Sequence, residues 1–282
     1  MNIAITGASG LIGKRLQQRL TESGHGALPV PRGASGPALT EILASADSVV
    51  HLAGEPVAQR WTEAAKKRIY DSRVDGTRSL VNALSALSRR PRVMVCASAV
   101  GYYGSRGDQV LTETSPPGAD FLAHVVVDWE EAAHLAEALE IRVVQMRFGV
   151  VLGHGGALAK LLPPFRVGLG GRLGSGRQWM AWIHLEDAVN LILFSLGYSA
   201  IRGPVNATAP QPVTNQEFTH RLANALHRPA ILPVPAFALK LAMGEMSEVL
   251  LASQRVVPNV AKSAGFRFQY PELGAALENI LA

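Results

Sequence analysis

Asn2-Ile3-Ala4-Ile5-Thr6-Gly7-Ala8-Ser9-Gly10-Leu11-Ile12-Gly13 is the stretch whose reading decides the fold. Asn2–Thr6 is short and apolar, as a strand buried on both faces is. Glycines follow at Gly7, Gly10 and Gly13, and beyond them Leu11, Ile12, Leu16 and Leu20 recur at helical spacing. The reading is strand, glycine turn, helix. The first glycine permits the tight turn, the middle one lets a pyrophosphate approach the backbone, and the third lets helix and strand pack closely. A helix that starts there offers unpaired N–H groups to an anion. A glycine-rich turn with no ligand is the competing reading; position at the first strand–helix junction of an alternating chain favours the dinucleotide site.

The alternation continues. Gly26–Pro31 reads as a second strand, weakened by Pro29 and Pro31. Ser48–Ala53, Arg92–Ala97 and Ile141–Phe148 are apolar strands, Thr62–Leu87 is a long amphipathic helix, and Trp129–Leu139 is a further helix. Such spacing predicts βαβ units in an α/β fold, a Rossmann-type doubly wound parallel sheet covered on both faces. Glycine and proline dominate Gly153–Gly176. His184–Leu196 reads as one more helix on the sheet, and the capping-box spacing Thr214–Glu217 opens a helix through Leu226. Shorter helices fall around Phe237–Met243 and Leu273–Leu281. The expected division is a Rossmann domain over residues 1–153, with 180–209 returning to it. A smaller mixed C-terminal domain takes 154–179 and 210–282.

With 282 residues, 48% of them apolar and 17% charged, the chain can bury a large core, which excludes a disordered or collagen-like protein. Its longest uncharged apolar stretch, Ala188–Tyr198, falls short of the ~18–20 residues that cross a bilayer. The N-terminal MNIAITG has no basic region or cleavage site. A cytoplasmic protein that does not engage a membrane is expected. Cys96 is the sole cysteine, so no disulfide framework and no cysteine-built metal site forms within one chain. His184 stands beside Glu186 and Asp187 without an HExxH pattern, and no metal is expected.

The net charge is +5, carried by 21 Arg and 6 Lys. Ile141–Leu185 contains no Asp or Glu yet holds Arg142, Arg147, Lys160, Arg166, Arg172 and Arg177. No basic helix or aromatic stacking motif accompanies these charges, so a nucleic acid is not expected, and a small phosphate-bearing anion fits them better. Ser23–Thr40 also lacks acids and contains Arg32. An NAD site usually places an acid about 20 residues beyond the glycines, to hold the ribose 2′-hydroxyl. A guanidinium there pairs instead with a 2′-phosphate, so NADP(H) is expected over NAD(H). The alternative is that Arg32 is a solvated loop residue.

Thr6-Gly7-Ala8-Ser9-Gly10-Leu11-Ile12-Gly13 resembles the TGxxGxxG loop of extended short-chain dehydrogenases/reductases, and His51-Leu52-Ala53-Gly54 resembles their HLAG strand end. Further runs are similar to the atypical "epimerase family protein" branch, which carries a C-terminal domain of unknown function. They are Arg60-Trp61-Thr62, Ser72-Arg73-Val74, Ser98-Ala99-Val100-Gly101-Tyr102-Tyr103-Gly104, Pro164-Phe165-Arg166-Val167-Gly168-Leu169-Gly170-Gly171 and Trp182-Ile183-His184. The resemblance runs nearly end to end. It implies cofactor contacts from Gly7, Gly10, Leu11, Ile12 and Gly13, from Arg32, and from Leu52, Ala53 and Gly54. Arg73 falls where many relatives carry an active-site asparagine; it faces the cofactor or, alternatively, makes a salt bridge on the helix surface.

Typical members use Ser, Tyr and Lys, the last two spaced YxxxK on one helix face, where the ammonium lowers the phenol's pKa. Four residues beyond the five tyrosines stand Val74, Arg106, Gly107, Arg202 and Gly274. No YxxxK exists, and Phe121–Glu130, where it would lie, has neither Tyr nor Lys. The candidates left are Ser98, Tyr102 and Tyr103, each competing with a packing role. Counting back from Gly104 puts Ala99 in the usual serine slot. His124 is a lesser candidate. Gly168–Trp179 reads either as an anion-facing lid, with Arg166, Arg172 and Arg177 contacting a phosphate-bearing substrate, or as a tight-turned loop. Two functions remain open. One is an oxidoreductase or nucleotide-sugar epimerase-like enzyme with a non-standard acid/base, acting as monomer or homodimer on a small anionic substrate. The other is a sensor or scaffold that holds NADP(H) without turnover.

Overall fold

The computed structural model describes residues 1–282. The chain runs β1 (Asn2–Thr6), α1 (Leu11–Glu22), β2 (Gly26–Pro29), α2 (Gly36–Ala44), β3 (Ser48–His51), α3 (Glu63–Ser85) and β4 (Val93–Ala99). After a 3₁₀ turn at Val100–Tyr103 come β5 (Val110–Leu111), α4 (Phe121–His134) and β6 (Arg142–Phe148). Next are β7 (Val150–Leu152), α5 (Gly156–Arg166), β8 (Trp179–Met180), β9 (Trp182–His184), α6 (Leu185–Gly197) and β10 (Gly203–Ala207). The last part holds β11 (Val213–Thr214), α7 (Asn215–Ala225), α8 (Ala236–Met243), α9 (Ser247–Leu251), β12 (Arg255–Val256), α10 (Asn259–Ser263) and α11 (Leu273–Leu281).

Six strands form one parallel sheet in the order β10-β6-β4-β3-β1-β2. The order reverses at β1, so the crevice of the doubly wound fold opens between the carboxyl ends of β1 and β3. Alternating side chains feed two cores. Ile3, Ile5, Val95, Val144 and Met146 pack with α1 and α6 through Leu16, Leu20 and Ile192. Ala4, Val49, Met94 and Cys96 face the other way, toward Leu43, Val74, Leu84 and Trp129 of α2, α3 and α4. β2 lies at the sheet edge, where Pro29 is tolerated.

A third core joins Leu158 and Phe165 of α5, Trp182, Phe218 and Leu222 of α7, and Leu277 and Ile280 of α11. α10 packs on the first core instead, through Ala261, with Phe266 and Phe268 beside it. Asp187, fully buried on α6, accepts the amides of Gln269 and Tyr270 at 2.7 and 2.8 Å and pins the chain that leads to α11. No helix is long and apolar enough to cross a membrane.

Several elements differ from the sequence reading. α4 starts at Phe121, not Trp129, because the Asp120 carboxylate caps it by accepting the Ala123 amide at 2.9 Å. α2 is an added helix, opened by Pro37 in its first turn. The glycine- and proline-rich stretch contains α5, which continues through Pro163 and Pro164. Each proline removes an amide donor; burial of Leu158 and Phe165 in the third core offsets that loss.

Candidate functional site

The glycine turn sits at the switch point. Gly7 has φ +68°, and a Cβ there would lie 2.7 Å from the Leu52 carbonyl carbon and 2.8 Å from the Ala53 nitrogen. A Cβ on Gly13 would stand 2.4 Å from the Gly7 oxygen. These two glycines let the turn, α1 and the strand end Leu52-Ala53-Gly54 touch backbone to backbone. Gly10 differs: its Cβ would meet only the Gly7 oxygen, at 3.3 Å, and otherwise open space. Gly10 is also the N-cap of α1, with no side-chain cap and no acid in the first turn. The helix's own bonds begin with the Lys14 amide on the Gly10 carbonyl. The amides of Leu11, Ile12 and Gly13 therefore face outward from a positive helix end. Above them, a Cβ on Gly156 at the start of α5 would meet Leu11 Cδ2 at 3.1 Å, so the second lobe begins directly over the turn.

The opposite wall carries two cations. Arg73, on α3, lies against Gly54, where a Cβ would be 3.3 Å from its Cζ. Its Nη1 donates to the carbonyls of Glu55 (2.9 Å) and Ile69 (3.2 Å), and its guanidinium lies 5.2 Å from the Trp129 ring. It makes no surface salt bridge; burial lowers its pKa to about 10. Arg32 is 93% exposed and reaches across to Glu55, Nη2 to Oε2 at 3.4 Å. Beneath the crevice, Thr6 Oγ1 and Thr77 Oγ1 hold the buried His51 ring at 2.6 and 3.0 Å, and Trp129 donates to Thr77 at 2.9 Å. Burial pulls the His51 pKa down to about 4, so the ring is a neutral brace.

Ser98 and Tyr103 belong to an interior network. Ser98 on β4, Arg147 on β6 and Asn206 on β10 are register neighbours across the sheet. Ser98 Oγ donates to Glu130 Oε1 at 2.5 Å, and Arg147 grips both oxygens of Glu130 at 2.8 and 2.7 Å. Arg147 Nη1 also donates to Tyr103 Oη at 3.0 Å, and Tyr103 donates to Asn206 Oδ1 at 2.6 Å. Burial pushes the Tyr103 pKa up to about 12. Burial works against the Arg147 charge, but the bonds to Glu130 outweigh it and its pKa is raised. Both hydroxyls are thus taken up inside the fold. Tyr102 is different: it is only partly buried, its ring lies flat on Arg147, and it turns its edge to Tyr103.

The acid-free span does not act as one anion-binding strip. Arg147 pairs with Glu130 from outside the span. Arg142 is used on the carbonyls of Ser195, Leu196 and Ile201, where it closes the end of α6. Arg166, Arg172 and Arg177 form no ion pair. Of these, only Arg172 lines the groove of about 730 Å³ along α7, with His220, Asn224 and Arg228. Arg228 Nε donates to the Arg166 carbonyl, and the Arg177 amide to Ser175 Oγ. The two lobes also meet where Lys66 of α3 pairs with Glu245 and lies 5.5 Å from the Phe121 ring. Thr77 and Glu245 were not singled out by sequence; Glu130 falls in the helix that should carry YxxxK, where the sequence reads it, with Trp129, as packing that helix to the sheet.

Parallel sheet, switch-point crevice and open glycine turn define a dinucleotide-binding α/β protein. Residues 3–206 match the NAD dependent epimerase/dehydratase family, and residues 234–280 match a domain of unknown function (DUF1731). Epimerase family protein YfhF of Bacillus subtilis is 39% identical over 298 residues, covering 100% of this chain and 98% of the relative. The crystal structure of human epimerase family protein SDR39U1 (isoform2) with NADPH superposes with a TM-score of 0.91 at 35% identity, covering 100% of this chain and 99% of that one. A nucleoside-diphosphate sugar epimerase from Corynebacterium glutamicum superposes at 0.82 with 34% identity; this chain spans 58% of it. The chain belongs to the NAD dependent epimerase/dehydratase family, in its epimerase family protein branch of short-chain dehydrogenases/reductases.

Proposed function

We propose that the chain binds NADP(H) along the β1–α1 turn and is an oxidoreductase or nucleotide-sugar epimerase-like enzyme acting on a small anionic substrate. One observation carries the reading: Gly7 and Gly13 leave no room for a Cβ, while uncapped α1 amides face the crevice. Main-chain donors at a helix start, with no acid in the first turn, fit a diphosphate. The NADPH in the human relative's structure adds support. In this reading Gly7, Gly10, Leu11, Ile12 and Gly13 cradle the diphosphate, and Leu52, Ala53 and Gly54 form the facing wall. Arg32 reads the 2′-phosphate and Arg73 faces the ribose or phosphates. Bound nicotinamide supplies or accepts a hydride. Residues 154–179 and 210–282 supply the substrate side, with Arg172, the one of the three candidate arginines on the α7 groove, as an anion contact. Ser98 and Tyr103 could take part only by leaving their buried partners, so Tyr102 is the candidate acid/base nearest to hand.

Calorimetric titration tests the reading. Wild-type protein should bind NADPH more tightly than NADH, and Arg32→Ala should erase most of that difference. No heat and no thermal upshift with either nucleotide would overturn it.

The locked hydroxyls of Ser98 and Tyr103 and the missing YxxxK favour a second reading, a cofactor-holding sensor or scaffold. NADPH deuterated at either face of C4, incubated with cell extract, separates the two. Stereospecific loss of label marks the enzyme; tight binding without loss marks the sensor.

A further inference from the structure

We propose that Gln254, from the stretch matched to the domain of unknown function, is a positioning residue for Tyr102. The proposal rests on the reading of Tyr102 as the candidate acid/base. Tyr102 sits on the 3₁₀ turn Val100–Tyr103. So short a turn has poor hydrogen-bond geometry of its own and depends on its surroundings. Here every main-chain carbonyl from Val100 to Gly104 is taken. Gly101 O accepts the Gly104 amide at 3.1 Å, Tyr102 O the Gly118 amide at 2.8 Å, and Tyr103 O accepts from Arg106 Nε at 2.9 Å. The other two, Val100 O and Gly104 O, both accept from Gln254 Nε2, at 2.9 and 3.1 Å. One side-chain amide therefore bridges the two ends of the turn. Both of its partners are acceptors only, which places the amide nitrogen, not the oxygen, on the turn.

Gln254's side chain is not what docks the segment that carries it. Its neighbour Ser253 already donates its amide to Ser105 Oγ (3.1 Å) and its hydroxyl to the Gly107 carbonyl (2.7 Å), and accepts the Arg106 amide (2.8 Å). β12 pairs with β5 just beyond, and the Gln254 amide itself is held on the Trp179 carbonyl at 3.0 Å. The two side-chain bonds come on top of that attachment, and both fall on the tyrosine turn. What the turn holds in place is Tyr102, ring on Arg147 and edge to Tyr103. The Tyr103 hydroxyl is taken by Arg147 and Asn206, so the ring of Tyr103 is tied from its far end. Tyr102 has no such tie, and its place depends on the main chain beneath it. A 1 Å misplacement at a reacting group costs about 10²-fold in rate, so a tyrosine on a turn needs a clamp of this kind. Residues 234–280 thereby contribute to the tyrosine site itself.

The test uses the intact chain with ring-labelled tyrosine, the NMR signals of Tyr102 and Tyr103 being assigned through Tyr102→Phe and Tyr103→Phe. Gln254→Met keeps length and bulk but has no donor. Its Tyr102 ring signal should shift and broaden, while that of Tyr103, anchored by its hydroxyl, should stay where it is. Label loss from C4-deuterated NADPH in cell extract, per bound NADPH, should fall at least about tenfold. An unmoved Tyr102 signal overturns the proposal, because the amide then does not place the ring. Equal movement of Tyr103 overturns it too, because the amide then only holds the region together. So does an unchanged rate of label loss. A wild type that loses no label sinks the enzyme reading, and the two ring signals still decide whether Gln254 places Tyr102. If Gln254→Met does not fold, the wild type decides: both protons on Gln254 Nε2 should exchange slowly with water, and free exchange overturns the proposal.

Discussion

Arg147 places its Cζ 3.5 Å from the centroid of the Tyr102 ring while its Nε and Nη2 hold the two oxygens of Glu130. One buried cation therefore joins the sheet to α4 and also sets the plane of a tyrosine at the end of β4. The pair is nearly sealed, with 3% and 11% of the two side chains exposed. Truncating one partner of a buried ion pair leaves an unpaired charge and costs about 3–5 kcal/mol. Glu130→Gln should therefore lower the unfolding free energy in urea by about that amount. A loss under about 1 kcal/mol would mean that water reaches Arg147.

The two outer glycines and the middle one should fail differently. Gly7→Ala forces a Cβ into the Leu52–Ala53 main chain at positive φ, so it should lower stability as well as cofactor affinity. A Cβ at Gly10 would meet only the Gly7 oxygen, at 3.3 Å, and Gly10→Val projects toward the face where the diphosphate would lie. It should abolish NADPH binding while costing only the roughly 1 kcal/mol of a poorer N-cap residue, so the protein still folds. Retained affinity in a folded Gly10→Val protein would move the phosphate site elsewhere.

Glu55 competes for Arg32. Their contact is 3.4 Å long and the arginine is almost fully solvated, so the pair is weak. Glu55→Gln should release Arg32 and tighten NADPH at low salt, by less than about fivefold given the ~1 kcal/mol ceiling for exposed pairs. NADH affinity should hardly move. Weaker NADPH binding in this variant would instead show that Glu55 holds Arg32 in its working position.

The sheet was legible because its strands are apolar runs separated by helical periodicity, and the ligand crevice because three glycines mark its first turn. What escaped was set by contacts distant in sequence. Pro163 and Pro164 argue against a helix, and only the third core, assembled from residues as far apart as Leu158 and Ile280, holds α5 in place. The arginines of the acid-free span looked available because their partners lie elsewhere: Glu130 for Arg147, and the α6 carbonyls for Arg142. Ser98 likewise looked catalytic at a strand end, and only the fold brings Glu130 to 2.5 Å from it.

His51 should make the protein acid-sensitive before its carboxylates do. In the fold its pKa is about 4, against the ordinary 6.5, because the ring is fully buried between Thr6 and Thr77. The unfolded chain therefore binds this proton first as pH falls. The neutral ring's contribution is intact above pH 6.5 and shrinks progressively as pH drops from 6.5 toward 4. A displacement of this size corresponds to about 3 kcal/mol across the window, an order-of-magnitude figure. His51→Gln keeps a polar group between the two hydroxyls but removes the titration. Its absolute stability should be lower, yet its urea midpoint should fall less steeply between pH 7 and pH 4.5 than that of the wild type. Parallel slopes for the two proteins would show that His51 takes up its proton without leaving the fold.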